Sequence, residues 1–127
     1  MMKLDFRQGL LFVSVTLSFN GKSHTVDDVI LDTGAAHSLI DRTAGEPLDL
    51  VPDNDDIIVT MAGLGGNDYA VRKKIEHLDF AGCTISQPYL DFGNLDAHPG
   101  VNGLLGADIL TAGRYVIDLD QMIVYPK

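Results

Sequence analysis

Apolar and polar residues alternate strictly in residues 13–19, with the apolar side chains at the odd positions. A period of two places these side chains on one face of a half-buried β-strand. Asn20-Gly21 follows and favours a tight hairpin, because both residues tolerate positive φ angles. The returning strand is predicted from about Ser23 to the apolar run Val29-Ile30-Leu31. Because this run is continuous rather than alternating, it indicates burial on both faces.

The middle of the chain predicts a loop region and then a second hairpin. Residues 41–56 are mostly polar, and one short strand is expected there around Leu48-Asp49-Leu50. Residues 57–61 form a β-branched apolar run that is typical of a strand. A glycine-rich turn at residues 63–68 leads into the predicted returning strand, residues 69–80.

The last third of the chain predicts more short strands and one short helix. Strands are predicted at residues 83–85, 89–92, 115–119 and 122–125. The helix is predicted at residues 107–112, with Asp108 in its first turn and Gly113 as the left-handed residue at its C-terminal end. Many short strands, glycine turns and one helix predict an all-β barrel or sandwich in a single domain, residues 1–127.

Length and charge narrow the class of protein. The 127 residues suffice for one domain with its own core. The formal net charge of −9 disfavours nucleic acids and anionic membranes as partners, because both attract positive charge. The N-terminal residues lack the apolar core of a signal peptide, and no apolar stretch is long enough to span a bilayer. A cytoplasmic location is therefore expected.

Cysteine and histidine offer no alternative chemistry in this sequence. Cys83 is the single cysteine, which excludes an intrachain disulfide. The four histidines and Cys83 have no metal-ligand spacing, so no metal site is predicted. His37 is the one histidine close to a candidate catalytic residue, where it could tune the response to pH.

The strongest chemical signal is a carboxylate at the end of the buried strand. Asp32 directly follows Val29-Ile30-Leu31 and is followed by Thr33, Gly34 and Ala35. Aspartate and glycine are common in turns, so the motif alone is compatible with an ordinary turn after a core strand. The glycines at residues 63–66 do not predict a phosphate loop, because they join two strands rather than opening a helix.

Three segments together resemble the retropepsin-like aspartic peptidases, the single-domain family that includes the retroviral proteases. The segments are Asp32-Thr33-Gly34-Ala35 with Ser38 shortly after it, the tip Met61-Ala62-Gly63-Leu64-Gly65-Gly66, and Asn102-Gly103-Leu104-Leu105-Gly106. They occur in the family's order and spacing, and the resemblance covers about residues 10–125. It implies a closed all-β barrel, the acid protease fold, with one short helix near the C-terminus. It also implies an aspartic endopeptidase that acts on peptide or protein substrates without metal or cofactor.

The resemblance implies a shared active site. Asp32 supplies one catalytic carboxylate, and no other aspartate in the chain precedes a Thr-Gly or Ser-Gly pair. The second carboxylate must therefore be Asp32 of a symmetry mate, which implies a homodimer with an isologous interface. Two carboxylates at hydrogen-bonding distance share one proton, so one can activate water while the other donates to the peptide carbonyl.

The same resemblance assigns supporting roles. Thr33 would lock the two catalytic turns together, and Gly34 would let the substrate backbone approach closely. The glycine-rich tip, residues 61–66, would be a flap that closes over substrate and excludes water, with Leu64 at its apex. Leu104, Leu105 and Gly106 would form the structural motif that precedes the helix.

The sequence also departs from the retroviral pattern. Ala36 and His37 stand where retroviral members often carry an acidic residue, and the termini differ in length. A non-catalytic dimeric module of the same fold, which binds peptides or joins assemblies, is therefore the alternative function. The two functions differ in whether a pair of Asp32 carboxylates meets over an open cleft.

Overall fold

The structure is a computed structural model that describes residues 1–63 and 66–127. These residues form a mostly-β fold with one short α-helix, as predicted. The strands are β1 (Met2–Lys3), β2 (Asp5–Arg7), β3 (Leu10–Phe19), β4 (Lys22–Leu31), β5 (Leu39–Asp41), β6 (Ile57–Gly63), β7 (Gly66–Lys74), β8 (His77–Phe80), β9 (Cys83–Ser86), β10 (Tyr89–Gly93), β11 (Gly103–Leu105), β12 (Tyr115–Asp118) and β13 (Ile123–Pro126). A 3-10 helix covers Glu46–Leu48, and α1 covers Ala107–Ala112.

The strands form one large sheet and one small sheet. The large sheet has the order β6-β7-β10-β5-β11-β4-β3-β8-β9, with β2 paired to β3. Within the described residues no ladder joins the end strands β6 and β9, so the expected closure into a barrel is not made by backbone pairing. The small sheet has the order β1-β13-β12 and contains both ends of the chain.

The first predicted hairpin is confirmed in its strands and its turn. Val15 and Leu17 of β3 are almost completely buried, whereas Thr16 between them pairs with Thr25 on the outer face. Asn20 and Gly21 have φ angles of 52° and 75°, as a tight hairpin between β3 and β4 requires. This hairpin builds the apolar surface from which the rest of the sheet extends.

The short strand predicted around residues 48–50 is wrong. Residues 46–48 form a 3-10 helix instead, in which Pro47 occupies the first turn. Proline fixes its own φ and lacks an N–H, both of which suit the start of a helix. Leu48 is fully buried from this helix, and Asp49 ends it in a left-handed conformation with φ of 51°.

The single strand predicted over residues 69–80 is two strands with different neighbours. β7 ends at Lys74 and pairs with β6 and β10, whereas β8 pairs with β3 and β9. At the break, the N–H of Ile75 bonds the carbonyl of Pro88, and the N–H of Glu76 bonds the carbonyl of Ser18. The chain thus leaves one pair of neighbouring strands and joins another, and neither a glycine nor a proline in the sequence indicates this break.

The helix is found at the predicted residues, but its C-terminal cap differs. Gly113 has φ of −90° and ψ of −1°, and Arg114 takes the left-handed conformation instead, with φ of 51°. Glycine is needed at 113 for space, because a Cβ there would lie 2.2 Å from the ring of Tyr115. Among the residues that the structure describes, no helix has the length and apolar character to cross a membrane.

Candidate active site

Asp32 lies immediately after β4, which is flanked by β3 on one side and by β11 on the other. β4 and β11 run parallel, with Leu31 in register with Leu105. The N–H of Asp32 extends this pairing and donates to the carbonyl of Leu105 at 2.9 Å. Val29 is completely buried in the strand, whereas Asp32 is only half-buried. The core strand therefore ends where the carboxylate reaches the surface.

The turn after Asp32 fixes the direction of its side chain. Gly34 donates its N–H to Asp32 Oδ1 at 3.0 Å, and Ala35 donates its N–H to the Asp32 carbonyl at 3.2 Å. A Cβ on residue 34 would lie 3.3 Å from Oδ1, so glycine relieves crowding against the carboxylate. Within the described residues Oδ2 makes no hydrogen bond, which leaves one oxygen of Asp32 open to a reacting group.

Ser38 and Asp108 connect the Asp32 turn to the start of α1. Ser38 is almost fully buried and donates its N–H to Asp108 Oδ2 at 2.9 Å and its hydroxyl to Oδ1 at 2.7 Å. The Ser38 Oγ accepts the N–H of Gly106 at 2.9 Å. Nearby, Ala107 donates its N–H to the carbonyl of Ala35 at 2.7 Å. We call these contacts the Ser38–Asp108 clasp.

The clasp is the part of the site that sequence reasoning missed. Asp108 was expected in the first turn of the helix, and it is there, but its contact with Ser38 was not predicted. A helix with acidic residues in its first turn is common for electrostatic reasons alone. The structural role of the Asp108 carboxylate becomes clear only from its hydrogen bond with Ser38, which lies seventy residues away in the same chain.

The glycines of the third segment permit close packing of two backbones. A Cβ on Gly106 would lie 2.5 Å from the carbonyl oxygen of Ala35, and one on Gly103 would lie 2.7 Å from that of Leu39. Between them Leu105 is fully buried, whereas Leu104 is partly exposed. The structure thus brings the predicted segments 32–35 and 104–106 together.

A cleft of about 360 Å³ lies beside the clasp. His37 and Asp108 line it together with Arg72, whose Nε donates to Asp91 at 2.8 Å. Hydrogen bonding to Asp91 raises the pKa of the Arg72 guanidinium, against the opposite effect of burial. His37 is exposed here, close to the Asp32 turn in the chain but outside its hydrogen bonds. No group of His, Cys, Asp and Glu suited to a metal ion occurs in residues 1–63 and 66–127.

The predicted flap corresponds to the hairpin of β6 and β7. The two strands pair from Ile57 opposite Arg72 to Gly63 opposite Gly66, so the arms of the hairpin are formed. Met61, Ala62, Gly63 and Gly66 belong to these arms. Leu64 and Gly65, the expected apex, lie outside the described residues. The role of this hairpin as a flap stays a prediction.

A buried ion pair holds the base of the same hairpin. Lys73 of β7 is 3% exposed and donates from Nζ to Asp56 Oδ1 at 2.9 Å and to the carbonyl of Val51 at 2.8 Å. Burial by itself would raise the pKa of Asp56, but hydrogen bonds from Lys73 and from the N–H of Asp53, with the ammonium charge, bring it below its usual value. The loop before β6 is thereby tied to β7.

Replacement of Asp56 by alanine is expected to lower the free energy of unfolding by about 3 kcal/mol, because it leaves the Lys73 ammonium buried without its counter-charge. In the unmutated protein the contribution of Asp56 is complete above the ordinary Asp pKa of 3.8 and decreases as the pH falls below it. Urea unfolding at pH 7 and at acidic pH measures both effects. Asp55→Ala, a change at the exposed neighbouring residue, is the control. Equal stability of the two variants at pH 7 would contradict the prediction.

Comparison with known proteins agrees with this geometry. The family model described as aspartyl protease matches residues 15–109, which include the Asp32 turn, the β6–β7 hairpin and the segment 102–106. A crystal structure of a retropepsin-like aspartic protease from Rickettsia conorii superposes with a TM-score of 0.69 at 15% identity, over 98% of this chain and 87% of that one. A search of curated proteins gives no match. The chain therefore belongs to the aspartyl protease family and has the retropepsin-like fold.

Proposed function

We propose that this protein is an aspartic endopeptidase that acts as a homodimer, with one Asp32 from each chain. The observation that carries the proposal is the Asp32 carboxylate, which is held through Oδ1 by Gly34 and open at Oδ2 at the end of a buried strand. Aspartic peptidase chemistry needs two such groups, and the sequence has one Asp-Thr-Gly turn. A two-fold axis beside the turn brings in the second carboxylate, which is Asp32 of another copy of the chain.

Hydrolysis needs one acid and one base from two identical residues. Two carboxylates at hydrogen-bonding distance hold one proton between them, because both cannot be ionised cheaply. The ionised Asp32 takes a proton from a bound water, whose oxygen attacks the peptide carbonyl carbon. The protonated Asp32 donates to the carbonyl oxygen. Proton return to the nitrogen then accompanies cleavage of the C–N bond, and the products are a carboxylic acid and an amine.

The surrounding residues support this chemistry. The Ser38–Asp108 clasp and the Leu105 carbonyl fix the position of the turn, so that little reorganisation is needed during reaction. Thr33 and Gly34 are exposed, where they can contact a partner chain and an extended substrate. A substrate strand would be covered by the β6–β7 hairpin, with the flap residues 61–66 excluding water.

Mixing active and inactive chains tests the shared site. When wild-type protein and Asp32→Asn are mixed in equal amounts and allowed to exchange, about a quarter of the dimers are expected to carry two aspartates. The activity per total chain should fall to about that fraction, since a mixed dimer lacks one catalytic group. Fluorogenic peptide hydrolysis, followed after subunit exchange, gives the readout. Activity of one half, as for independent chains, would contradict a site made by two copies.

A further inference from the structure

A row of side chains crosses the large sheet from the Asp32 turn to Arg72. Residues that lie directly opposite each other on paired strands point to the same face of the sheet. The row defined by these pairs consists of Ile30 in β4, Leu104 in β11, Leu39 in β5, Asp91 in β10 and Arg72 in β7. Asp32 lies two residues after Ile30, and its N–H continues the pairing with β11, so its side chain is on this face as well.

The hydrophobic core lies on the opposite face of these strands. The core cluster contains Val29, Ile40 and Leu105, each of which is next in the chain to a residue of the row. Ile30 and Leu104 do not belong to this cluster. The row is therefore directed away from the core, toward the side on which Asp32 reaches the surface. Under the proposed function, a peptide bound at Asp32 passes over this row.

The row changes in character at its far end, where an ion pair follows the apolar residues. Asp91 is 6% exposed, and Arg72 donates to it from Nε at 2.8 Å and from Nη2 at 3.3 Å. A guanidinium has five N–H groups, and Asp91 accepts two of them. The other N–H groups make no hydrogen bond within residues 1–63 and 66–127. Arg72 therefore keeps donors for a ligand, while Asp91 fixes the position of its guanidinium.

Arg72 lines the cleft of about 360 Å³ beside the clasp, which we call the Arg72 cavity. Apolar walls are formed there by Ile85, Pro88, Ile109 and Ala112. The Arg72 side chain is 26% exposed, so a ligand in the cavity can reach it. A concave, mostly apolar site with a few polar groups that fix orientation is the usual form of a ligand site.

The charges around the Arg72 cavity favour an acidic ligand. Lys74 lies two residues after Arg72 on the same face of β7, and its Nζ is 5.9 Å from the centre of the Tyr89 ring, which also lines the cavity. Lys74 has no carboxylate within salt-bridge distance in the described part of the chain. The two carboxylates nearby are already hydrogen-bonded, since Asp91 accepts from Arg72 and both oxygens of Asp108 belong to the clasp. The basic groups therefore remain for a ligand.

We propose that the Arg72 cavity is a subsite for an acidic side chain of the peptide substrate, whose carboxylate is bound by the remaining N–H groups of Arg72. This inference rests on the peptidase proposed above and names a class of substrate for it. Hydrogen bonds between a guanidinium and a carboxylate are charge-assisted, and they are stronger than bonds between neutral groups. An apolar or basic side chain cannot accept these N–H groups.

The sheet geometry also gives the distance of this subsite from the cleaved bond. β11 and β5 lie between β4, which leads into Asp32, and β10, which carries Asp91, so three strand spacings separate these two strands. At about 4.8 Å for each spacing the separation is about 14 Å, and an extended peptide advances about 3.3 Å per residue. The acidic side chain is therefore expected about four residues from the cleaved bond. A two-fold dimer offers the subsite on both sides of that bond.

Peptide libraries test the preference for an acidic side chain. Fluorogenic peptides would carry Glu, Gln, Lys or Leu at the third to fifth residue on either side of the cleaved bond. At one of these positions we expect kcat/KM to be about tenfold higher for Glu than for Gln, because the neutral side chain loses a charge-assisted hydrogen bond. Binding of the same peptides to Asp32→Asn, measured by fluorescence anisotropy, should follow the same order. Equal values for Glu and Gln at every position would overturn the subsite.

Replacement of the whole ion pair tests which residues are responsible. Arg72→Leu alone would leave Asp91 buried without its counter-charge, so the test uses Arg72→Leu together with Asp91→Leu. Exchange of a buried ion pair for apolar residues is often neutral for stability. This double variant should lose the preference for Glu and cleave the Leu peptide best. Arg72→Lys keeps the charge but not the planar fork, and it should keep part of the preference.

A second ion pair of the chain provides the matched control. Lys22→Gln together with Asp49→Asn removes an exposed ion pair, also without a change in net charge, and should retain the preference for Glu. Cleavage without a Glu preference, or an unchanged preference in the Arg72 and Asp91 double variant, would reject the subsite and keep the peptidase. A Glu preference in binding without cleavage by the wild type would reject the peptidase and keep the cavity as a peptide-binding site. Absence of both cleavage and binding would reject both proposals.

Discussion

Asp32→Asn is expected to lower the rate of peptide cleavage by about a thousandfold or more, and to leave the dimer and the fold intact. General acid and base catalysis each contribute factors of about 10² to 10⁴, and this single substitution changes both carboxylates of the symmetric site. The amide oxygen can still accept the N–H of Gly34, which Asp32 Oδ1 accepts at 3.0 Å. The local turn should therefore persist while the proton chemistry is lost.

The loss must be separated from an effect on folding. Cleavage of a peptide library at acidic and neutral pH gives the activity, and sedimentation with thermal unfolding gives the assembly and the stability. Asp55→Asn, at an exposed loop residue, removes one carboxylate away from the site and serves as the matched control. If Asp32→Asn cleaved peptides at the wild-type rate, the proposed mechanism would be wrong. Peptide binding without cleavage by the wild type would favour the non-catalytic module instead.

Asp108→Ala is expected to reduce both stability and activity, although Asp108 has no assigned contact with substrate. The substitution leaves the N–H and the hydroxyl of the buried Ser38 without their acceptor. Loss of hydrogen bonds to a charged group, together with burial of unsatisfied donors, costs about 2–4 kcal/mol. The Asp32 turn also loses its link to α1, so under the proposed mechanism we expect kcat to fall more than KM rises.

Conservative variants distinguish a positioning role from a merely structural one. Asp108→Asn retains one acceptor oxygen and should restore part of kcat, whereas Ser38→Ala removes only the hydroxyl. Thermal unfolding measured alongside kinetics shows whether the two quantities change together. A variant with wild-type kcat and lowered stability would mean that the clasp supports the fold but does not position the Asp32 turn.

Sequence patterns predicted the elements whose determinants are local. The β3–β4 hairpin follows from period-two alternation and Asn20-Gly21, and α1 follows from a short apolar segment that ends at a glycine. Family resemblance identified Asp32-Thr33-Gly34-Ala35 and Leu104-Leu105-Gly106 as separate motifs, and only the structure shows that β4 and β11, which lead into these turns, pair in parallel. The catalytic role of Asp32 stays a proposal.

The features that were missed depend on contacts between distant residues. The strand break at Ile75 depends on Pro88 and Ser18, which accept the freed N–H groups of residues 75 and 76. Gly113 is a glycine because of the ring of Tyr115 and not because of its own φ. Ser38 and Asp108 each stand out in the sequence for a separate reason, but their contact depends on the fold that places them together.

The parallel pairing of β4 with β11 has a consequence for biosynthesis. Asp32 is made early in the chain, but its N–H acceptor at Leu105 and the clasp residue Asp108 are made about seventy residues later. Contacts between such distant residues form slowly, since the intervening chain must first be ordered. Under the proposed function, Asp32 is therefore synthesised long before the contacts that hold its turn can form.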